Sequence, residues 1–375
     1  MGRWFQLPVL HAASRSRNAL THQTIVWYFA MAGGERRSPG APSLSVTYER
    51  AVTMRAVVAA GISADDPISG IKIIDIQEPT PGPGQVVVNV RACSLNHHDL
   101  WSLRGVGLSE DRLPMVLGSD IAGVTDDGRD VIVHSLIADP HKGRGSELFD
   151  PGRAMLADAL QGGLTERVVV PERNLVPKPA AISFEDAACL PTAWLTAYRM
   201  LFVRAQVRPG QSVLVQGASG GVATAIIALG RAAGLRIWVT GRSEEKIQKA
   251  MALGADAGFP SGERLPERVD VVMDTVGSAT FAHSVNSVRT GGVVVVAGGT
   301  SGGLAKTDLS RIFFHHISIL GSAMGRVDEL VDLVAYCYNR DVRPFIDSIH
   351  SMDRAVDAFA RLESGNAFGK VVMTP

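Results

Sequence analysis

SVLVQGASGGVA (212–223) is the stretch that decides the fold of this 375-residue chain. Residues 212–215 are an apolar run suited to a buried parallel strand. Gly217, Ala218, Ser219, Gly220 and Gly221 make a turn without bulky side chains, and VATAIIALGRAA (222–233) continues as an apolar helix. Strand, tight turn and helix N-terminus, in that order, aim free backbone N–H groups and the positive end of the helix dipole at one point. Ala218, Ser219, Gly220, Gly221 and Val222 are therefore expected to hold the pyrophosphate of a dinucleotide, because a larger side chain would stand between backbone and phosphate. A purely structural βαβ turn is the competing reading, but here the loop has both its strand and its helix in place.

Outward from that loop, strands and helices alternate. SVLVQG, RIWVTG, VDVVMDTV, GGVVVVAGG and ISILGS are separated by VATAIIALGRAA, SEEKIQKAMALG, SATFAHSVNSV and KTDLSRIFFHH. This is the pattern of a doubly wound parallel sheet, an α/β domain expected over 176–322. From Met54 to about residue 175 the runs are short and strand-like, with turn residues such as PTPGPG (79–84) between them, and read as a β-rich domain. After residue 322 come a helix, a strand, a helix and FGKVVMTP, and the last strand fits best as a return to the β-rich domain. The expected organisation is thus 54–175 with 323–375, interrupted by 176–322. Residues 1–53 differ: they carry Arg3, Arg15, Arg17, Arg36, Arg37 and Arg50 against only Glu35 and Glu49. Such a basic segment reads either as a targeting peptide or as a disordered or non-native extension. The cleaner pattern that opens at Met54 favours the second.

Bulk composition narrows the partners. A formal net charge of +0 leaves no footprint for nucleic acid or an acidic membrane. No apolar run reaches the roughly 18–20 residues of a membrane helix. Cys93, Cys189 and Cys337 lie far apart without a CxxC pair, which points to a reducing, cytoplasmic setting.

The second strand declares the cofactor. NAD sites place an acid at its tip to hold the ribose hydroxyls. RIWVTG instead runs into Gly241, Arg242 and Ser243, with Lys246 one turn later. Two cations and a hydroxyl suit a 2′-phosphate, so NADP(H) is expected. A basic, solvated helix start is the plainer alternative.

With SLNHHDLW (94–101), LPMVLGSDIAG (113–123), ACLPTAWLTAYRML (188–201), QGASGGVA (216–223), DTVG (274–277), LGSAMG (320–325) and FGKVV (368–372) in this order, the chain resembles the medium-chain dehydrogenase/reductase superfamily over 54–375. The resemblance implies a GroES-like catalytic domain interrupted by a Rossmann domain, with the active site in the cleft between them. Zinc-dependent members hold a catalytic metal with a Cys and a His; the matching positions here are Asn96 and Ser119, followed by Asp120. An amide and a hydroxyl are poor zinc ligands. The segment matching the structural-zinc lobe, 134–163, has no cysteine, so no metal is expected. Among substitute ligands, His97 and His98 are adjacent and only one can enter the cleft. His134 and His141 reach it only through a fold that the pattern does not show.

Without metal, the chain is most similar to the zinc-independent, quinone oxidoreductase-like branch, whose Asn and Asp of the first motif match Asn96 and Asp99. The departures are Ala223 for a glycine, Trp101 for a pocket tyrosine, and no evident tyrosine in DAGFPSG (256–262) near the 2′-phosphate. The resemblance places Thr196 on the nicotinamide side and Thr275 and Val276 towards the adenosine or ribose. It places Ala297, Gly298 and Gly299 at the strand end nearest the nicotinamide, and Phe368, Gly369 and Lys370 across the cleft. Without a Lewis acid, a conjugated acceptor that spreads the incoming charge is the easier substrate. The expected activity is NADPH-dependent hydride transfer to a quinone or α,β-unsaturated carbonyl, a small electrophile. Asn96 would be the hydrogen-bond donor and Asp99 the group that orients its loop. The alternatives are an alcohol dehydrogenase relative with atypical ligands and a non-catalytic NADPH-binding protein. A homodimer through the edge strand 317–322 is also expected.

Overall fold

A computed structural model describes residues 52–375. The expectation for 1–53 lies outside the described residues save for the last two, and Thr53 already opens the strand Thr53–Ala59.

Six parallel strands form the nucleotide-binding sheet. Their spatial order is Ala257–Pro260, Arg236–Gly241, Ser212–Gln216, Val269–Asp274, Val288–Val296 and Ser318–Gly321. The winding reverses between Ser212–Gln216 and Val269–Asp274, and such a reversal opens a ligand crevice at the carboxyl ends of the strands. Ser212–Gln216 is buried at every residue because helices cover both faces, which is why its sequence does not alternate. The helix Gly221–Ala232 buries Ala225, Ile226, Ile227 and Leu229 against this sheet. Among the described residues Ser318–Gly321 pairs only with Val288–Val296, with Ile319 40% exposed.

The β-rich part is a larger sheet ordered Leu175–Pro177, Asp130–Val133, Asp120–Thr125, Gln85–Ser94, Lys370–Thr374 and Ile346–Ser351. Lys370–Thr374 runs antiparallel to Gln85–Ser94 and parallel to Ile346–Ser351. GroES-like and Rossmann architecture are therefore both present, as the sequence pattern predicts. The joint between them is helical: Phe184–Ala188, then Leu195–Tyr198 between the π-helical turns Leu190–Trp194 and Arg199–Arg204. Pro191 has no N–H to give the helix ladder, which is consistent with the widened turn around it. Trp194 and Leu195 are fully buried in a core that also takes Ala92 and Val372 from the β-rich sheet and Val213 from the parallel one.

The 134–163 lobe is fastened by carboxylates and an imidazole. Asp150 accepts from the N–H groups of Asp139 (2.7 Å) and Gly152 (2.8 Å), and Glu147 Oε1 accepts from the Val327 N–H (2.6 Å). His134 is fully buried, with Nδ1 3.1 Å from the Leu136 carbonyl and Nε2 2.9 Å from that of Gly325. Burial lowers its pKa. Both ring nitrogens lie against carbonyl oxygens, so neither points into open space where a metal could sit. Among the described residues no helix is long and apolar enough to cross a membrane.

Candidate active site

The chain turns out of Ser212–Gln216 through Gly217 at φ +89°, a left-handed conformation that glycine adopts without strain. Gly220 caps the following helix, and a Cβ built on it meets nothing within 4 Å. A Cβ on Gly221 would stand 2.8 Å from Lys370 Cδ and 3.2 Å from Ala193 Cβ. Behind the turn, Ser219 O accepts from Gly369 N–H at 2.8 Å. The loop is open on the cleft side and closed on the other by the returning strand.

A buried polar chain holds the neighbouring strand ends in register. Thr240 Oγ1 donates to Gln216 Oε1 (2.7 Å), whose amide nitrogen donates to Ser284 Oγ (3.1 Å), whose hydroxyl donates to Asp274 Oδ2 (2.6 Å). Asp274 also accepts from the N–H groups of Val276 (2.9 Å) and Gly277 (3.0 Å), which shapes the turn after its strand. That turn leaves Thr275 and Val276 half-buried beside Ala297, Gly298 and Gly299, with the Ala297 N–H on the Asp274 carbonyl (2.9 Å). Thr196 is buried nearby in the joint. Ser322, at the carboxyl end of the edge strand, donates its N–H to the Val296 carbonyl (2.8 Å) and keeps a buried hydroxyl without a partner. The sequence reading missed Ser322, because a serine after a strand carries no signal of its own.

At the tip of the second strand, Gly241 is buried, Arg242 is exposed and Ser243 caps the helix Glu244–Leu253. Lys246 Nζ donates to the carbonyl of Gly365, on the returning segment. Burial and the charges of Arg242 and Arg361 lower the Lys246 pKa. Three cations thus gather where the expected 2′-phosphate would lie. Phe368 is buried edge-on against Phe345, with ring centroids 5.1 Å apart, and donates its N–H to Asp347 (2.9 Å).

The first-motif loop builds a second cluster. Asp99 is fully buried: Oδ2 accepts from the Asn96 N–H (2.8 Å) and Oδ1 from that of Gly118 (2.9 Å), tying two loops together. Burial pushes this carboxyl's pKa up. Both its oxygens are spent on backbone N–H groups. Asn96 Nδ2 donates to Asp120 Oδ2 (2.9 Å) and lies 3.5 Å from Ser119 Oγ. Asn96 Oδ1 accepts from Lys370 Nζ (2.7 Å), which also donates to the Leu95 carbonyl (2.7 Å) and to Asp120 Oδ2 (3.3 Å). Ser94 Oγ completes the set on Asp120 Oδ2 (3.0 Å), whereas Asp120 Oδ1 is buried without a partner. Lys370 is 2% exposed. Expected on the cofactor, it passes the helix N-terminus with its stem and spends its charge on Asn96 and Asp120. The sequence reading assigned no role to Asp120 or Ser94. The available signal was an ionisable residue opening each of two apolar strands, DIAGVT and KVVMT.

The adjacent histidines diverge. His98 is half-buried, 3.8 Å from Asp158. His97 is exposed, and the crowding around it, then Lys370 and Arg104, lower its pKa. Burial, reinforced by Asp99 and Asp120, raises the Cys93 thiol well above its ordinary value and leaves it unreactive.

These donors do not fit zinc. Among the described residues no three His, Cys, Asp or Glu side chains converge as a metal group. Of the two carboxylates there, Asp99 is spent on backbone N–H groups and Asp120 is already paired with an ammonium that sits against the same amide.

Two family models match the chain: "Alcohol dehydrogenase GroES-like domain" over 82–180 and "Zinc-binding dehydrogenase" over 221–337. A zinc-type alcohol dehydrogenase-like protein of Schizosaccharomyces pombe is 30% identical over 78% of this chain and 91% of its own length. Acryloyl-coenzyme A reductase of Metallosphaera sedula is 29% identical over 86% of this chain and all of its own. Quinone oxidoreductase-like protein 2 of Bos taurus is 28% identical over 80% and 88%. Among solved structures, an NAD-dependent alcohol dehydrogenase superposes with a TM-score of 0.81 at 31% identity, covering 86% of this chain and 100% of that one. A 2-octenoyl-CoA carboxylase reductase in complex with NADP and 2-octenoyl-CoA gives 0.78 at 25%, covering 86% and 87%.

Proposed function

The chain belongs to the medium-chain dehydrogenase/reductase superfamily, and on that premise we propose that it is an NADPH-dependent, metal-independent reductase of conjugated carbonyls. The acceptor is an α,β-unsaturated carbonyl compound, an enoyl thioester foremost, or a quinone. The observation that carries this reading is the buried Asn96–Asp120–Lys370 cluster, an amide held by a fixed cation where zinc-dependent relatives hold a metal. Relatives named as acryloyl-CoA and quinone oxidoreductase-like proteins support the acceptor class. A structural relative holding NADP and 2-octenoyl-CoA supports both cofactor and thioester.

Bound NADPH supplies the hydride; the protein supplies the rest. The Gly217–Gly221 loop presents backbone N–H groups to the pyrophosphate. Arg242, Ser243 and Lys246 take the 2′-phosphate. The Asn96 amide and the Ser119 hydroxyl face the acceptor's carbonyl oxygen, and conjugation spreads the charge that arrives. Water supplies the balancing proton. The test is NADPH oxidation with a simple quinone and a short enoyl-CoA, with and without a chelator. Turnover indifferent to chelation is expected, and a requirement for bound zinc or oxidation of simple alcohols would overturn the reading. In the same assay Arg242→Ala with Lys246→Ala should raise the KM for NADPH by about 10–100-fold and leave NADH unaffected, since solvent screening at this exposed strand tip leaves the two together worth about the 1.5–3 kcal/mol of one charge-assisted hydrogen bond.

His97 gives the binding step a pH dependence. Crowding around the ring, then the charges of Lys370 and Arg104, lower its pKa in the free protein, whereas a cofactor phosphate bound near the Lys370 stem at Gly221 would raise it. The bound state therefore holds the proton more tightly. Affinity for NADPH should be greatest below the free-state pKa and weaken as pH rises through the bound-state pKa. Each pKa unit gained on binding is about a tenfold change in Kd. Kd measured from pH 5 to 8 by cofactor fluorescence should show this rise, and His97→Gln should flatten it; an unchanged slope in the variant would place His97 away from the phosphates.

A further inference from the structure

We propose that Lys370 is a positioning residue: it sets which end of the Asn96 carboxamide faces the acceptor, and the stem of its side chain ties that orientation to the helix N-terminus. The proposal rests on the reductase reading above. A carboxamide has two ends of nearly the same shape, and only its partners choose between them. Lys370 can only donate, so the atom 2.7 Å from its Nζ is the Asn96 oxygen. Ionised Asp120 can only accept, so the atom 2.9 Å from its Oδ2 is the Asn96 nitrogen. Reversing the amide would set ammonium against NH2 and carboxylate against carbonyl, two repulsions in a fully buried place.

In the held orientation the second Asn96 N–H points past Ser119 Oγ at 3.5 Å, too far for a strong bond. That N–H is left for an acceptor's oxygen. In the reversed orientation the acceptor would meet a carbonyl oxygen and be repelled. The three protons of Lys370 all have acceptors already: Leu95 O, Asn96 Oδ1 and Asp120 Oδ2. None is left for a phosphate. Its Cδ lies 2.8 Å from where a Cβ on Gly221 would be, so the stem passes directly against the helix N-terminus.

Lys370→Met keeps the stem and removes the charge, but strands the Asp120 carboxylate and lowers stability. The informative variant is Lys370→Met combined with Asp120→Asn, which removes both charges. Its melting temperature should return towards that of the unmodified protein. Its kcat for enone or quinone reduction should stay about 30–100-fold low, less than the roughly 100–1000-fold for losing one donor outright because the amide is still present but no longer held, and its Kd for NADPH should move by less than about threefold. Recovery of kcat together with stability would reduce Lys370 to a structural ion pair. A Kd raised about tenfold at unchanged kcat would make it a phosphate ligand.

A spectroscopic arm separates this proposal from the reading beneath it. In protein labelled with 15N-asparagine, the Asn96 side-chain signals, assigned by their loss in Asn96→Asp, should be two protected lines in the unmodified protein. They should lose protection in the double variant. Protected lines in a protein that reduces no conjugated carbonyl would overturn the reductase reading while keeping the held amide. Lines that do not respond to removal of Lys370 would overturn the positioning role whatever the activity.

Discussion

Asn96→Ala is expected to lower kcat about 100–1000-fold with quinone and enone alike, the loss typical of removing one preorganised donor from a charge-developing site. The Kd for NADPH should change by less than about threefold, because no cofactor contact is assigned to this side chain. The fold should survive, since the backbone N–H of residue 96, not its side chain, binds Asp99, and the Lys370–Asp120 pair persists without the amide. Single-turnover reduction with prebound NADPH isolates the hydride step. A rate within about threefold of the unmodified enzyme would remove Asn96 from the chemistry.

The second large effect divides two adjacent glycines. Gly221→Ala places a methyl 2.8 Å from Lys370 Cδ and 3.2 Å from Ala193 Cβ. Overpacking of that kind costs about 1–3 kcal/mol. Displacement of Lys370 should carry the damage to Asn96, so both melting temperature and kcat fall. Gly220→Ala adds its methyl to open space. Its melting temperature should hold while Kd for NADPH rises about tenfold, because the methyl occupies the ground assigned to the pyrophosphate. Thermal shift and cofactor titration on the two variants check the pattern. Equal effects of the two on stability, or no effect of Gly220→Ala on NADPH, would contradict the assigned cradle.

The parallel sheet was legible because its signals are local. A buried strand, a small-residue turn and an apolar helix lie within 212–233, and three further strand–helix pairs and a closing strand follow; the edge strand Ala257–Pro260, only four residues long, was not legible. The GroES-like part was legible mainly through its motifs, since its strands are short and irregular. Asn96 stood out because it occupies a position where a thiolate was expected. The other half of its cluster did not. Asp120 and Lys370 meet it from 24 and 274 residues away, and no periodicity reports a pairing at such distances. Asp99 shows the opposite limit: its place in the motif was plain, but only the two N–H groups it accepts from reveal that it faces inward. The histidines were undecidable for a related reason. Whether His97 or His134 meets a ligand depends on which carbonyls and charges surround the ring, and His134 proves to be bracketed by two carbonyls.

The strand Lys370–Thr374, wedged between Gln85–Ser94 and Ile346–Ser351, fixes an order of events during synthesis. Lys370 leaves the ribosome 274 residues after Asn96, roughly 14–55 s later at 5–20 residues per second. Until Lys370 emerges Asp120 has no countercharge and the amide has no preferred face, although the last strand of the parallel sheet ends at Gly321, translated 49 residues earlier. The glycine loop after Ser212–Gln216 is thus complete before the Asn96 cluster can close, and on the proposed reading the acceptor side of the site is the last part to form.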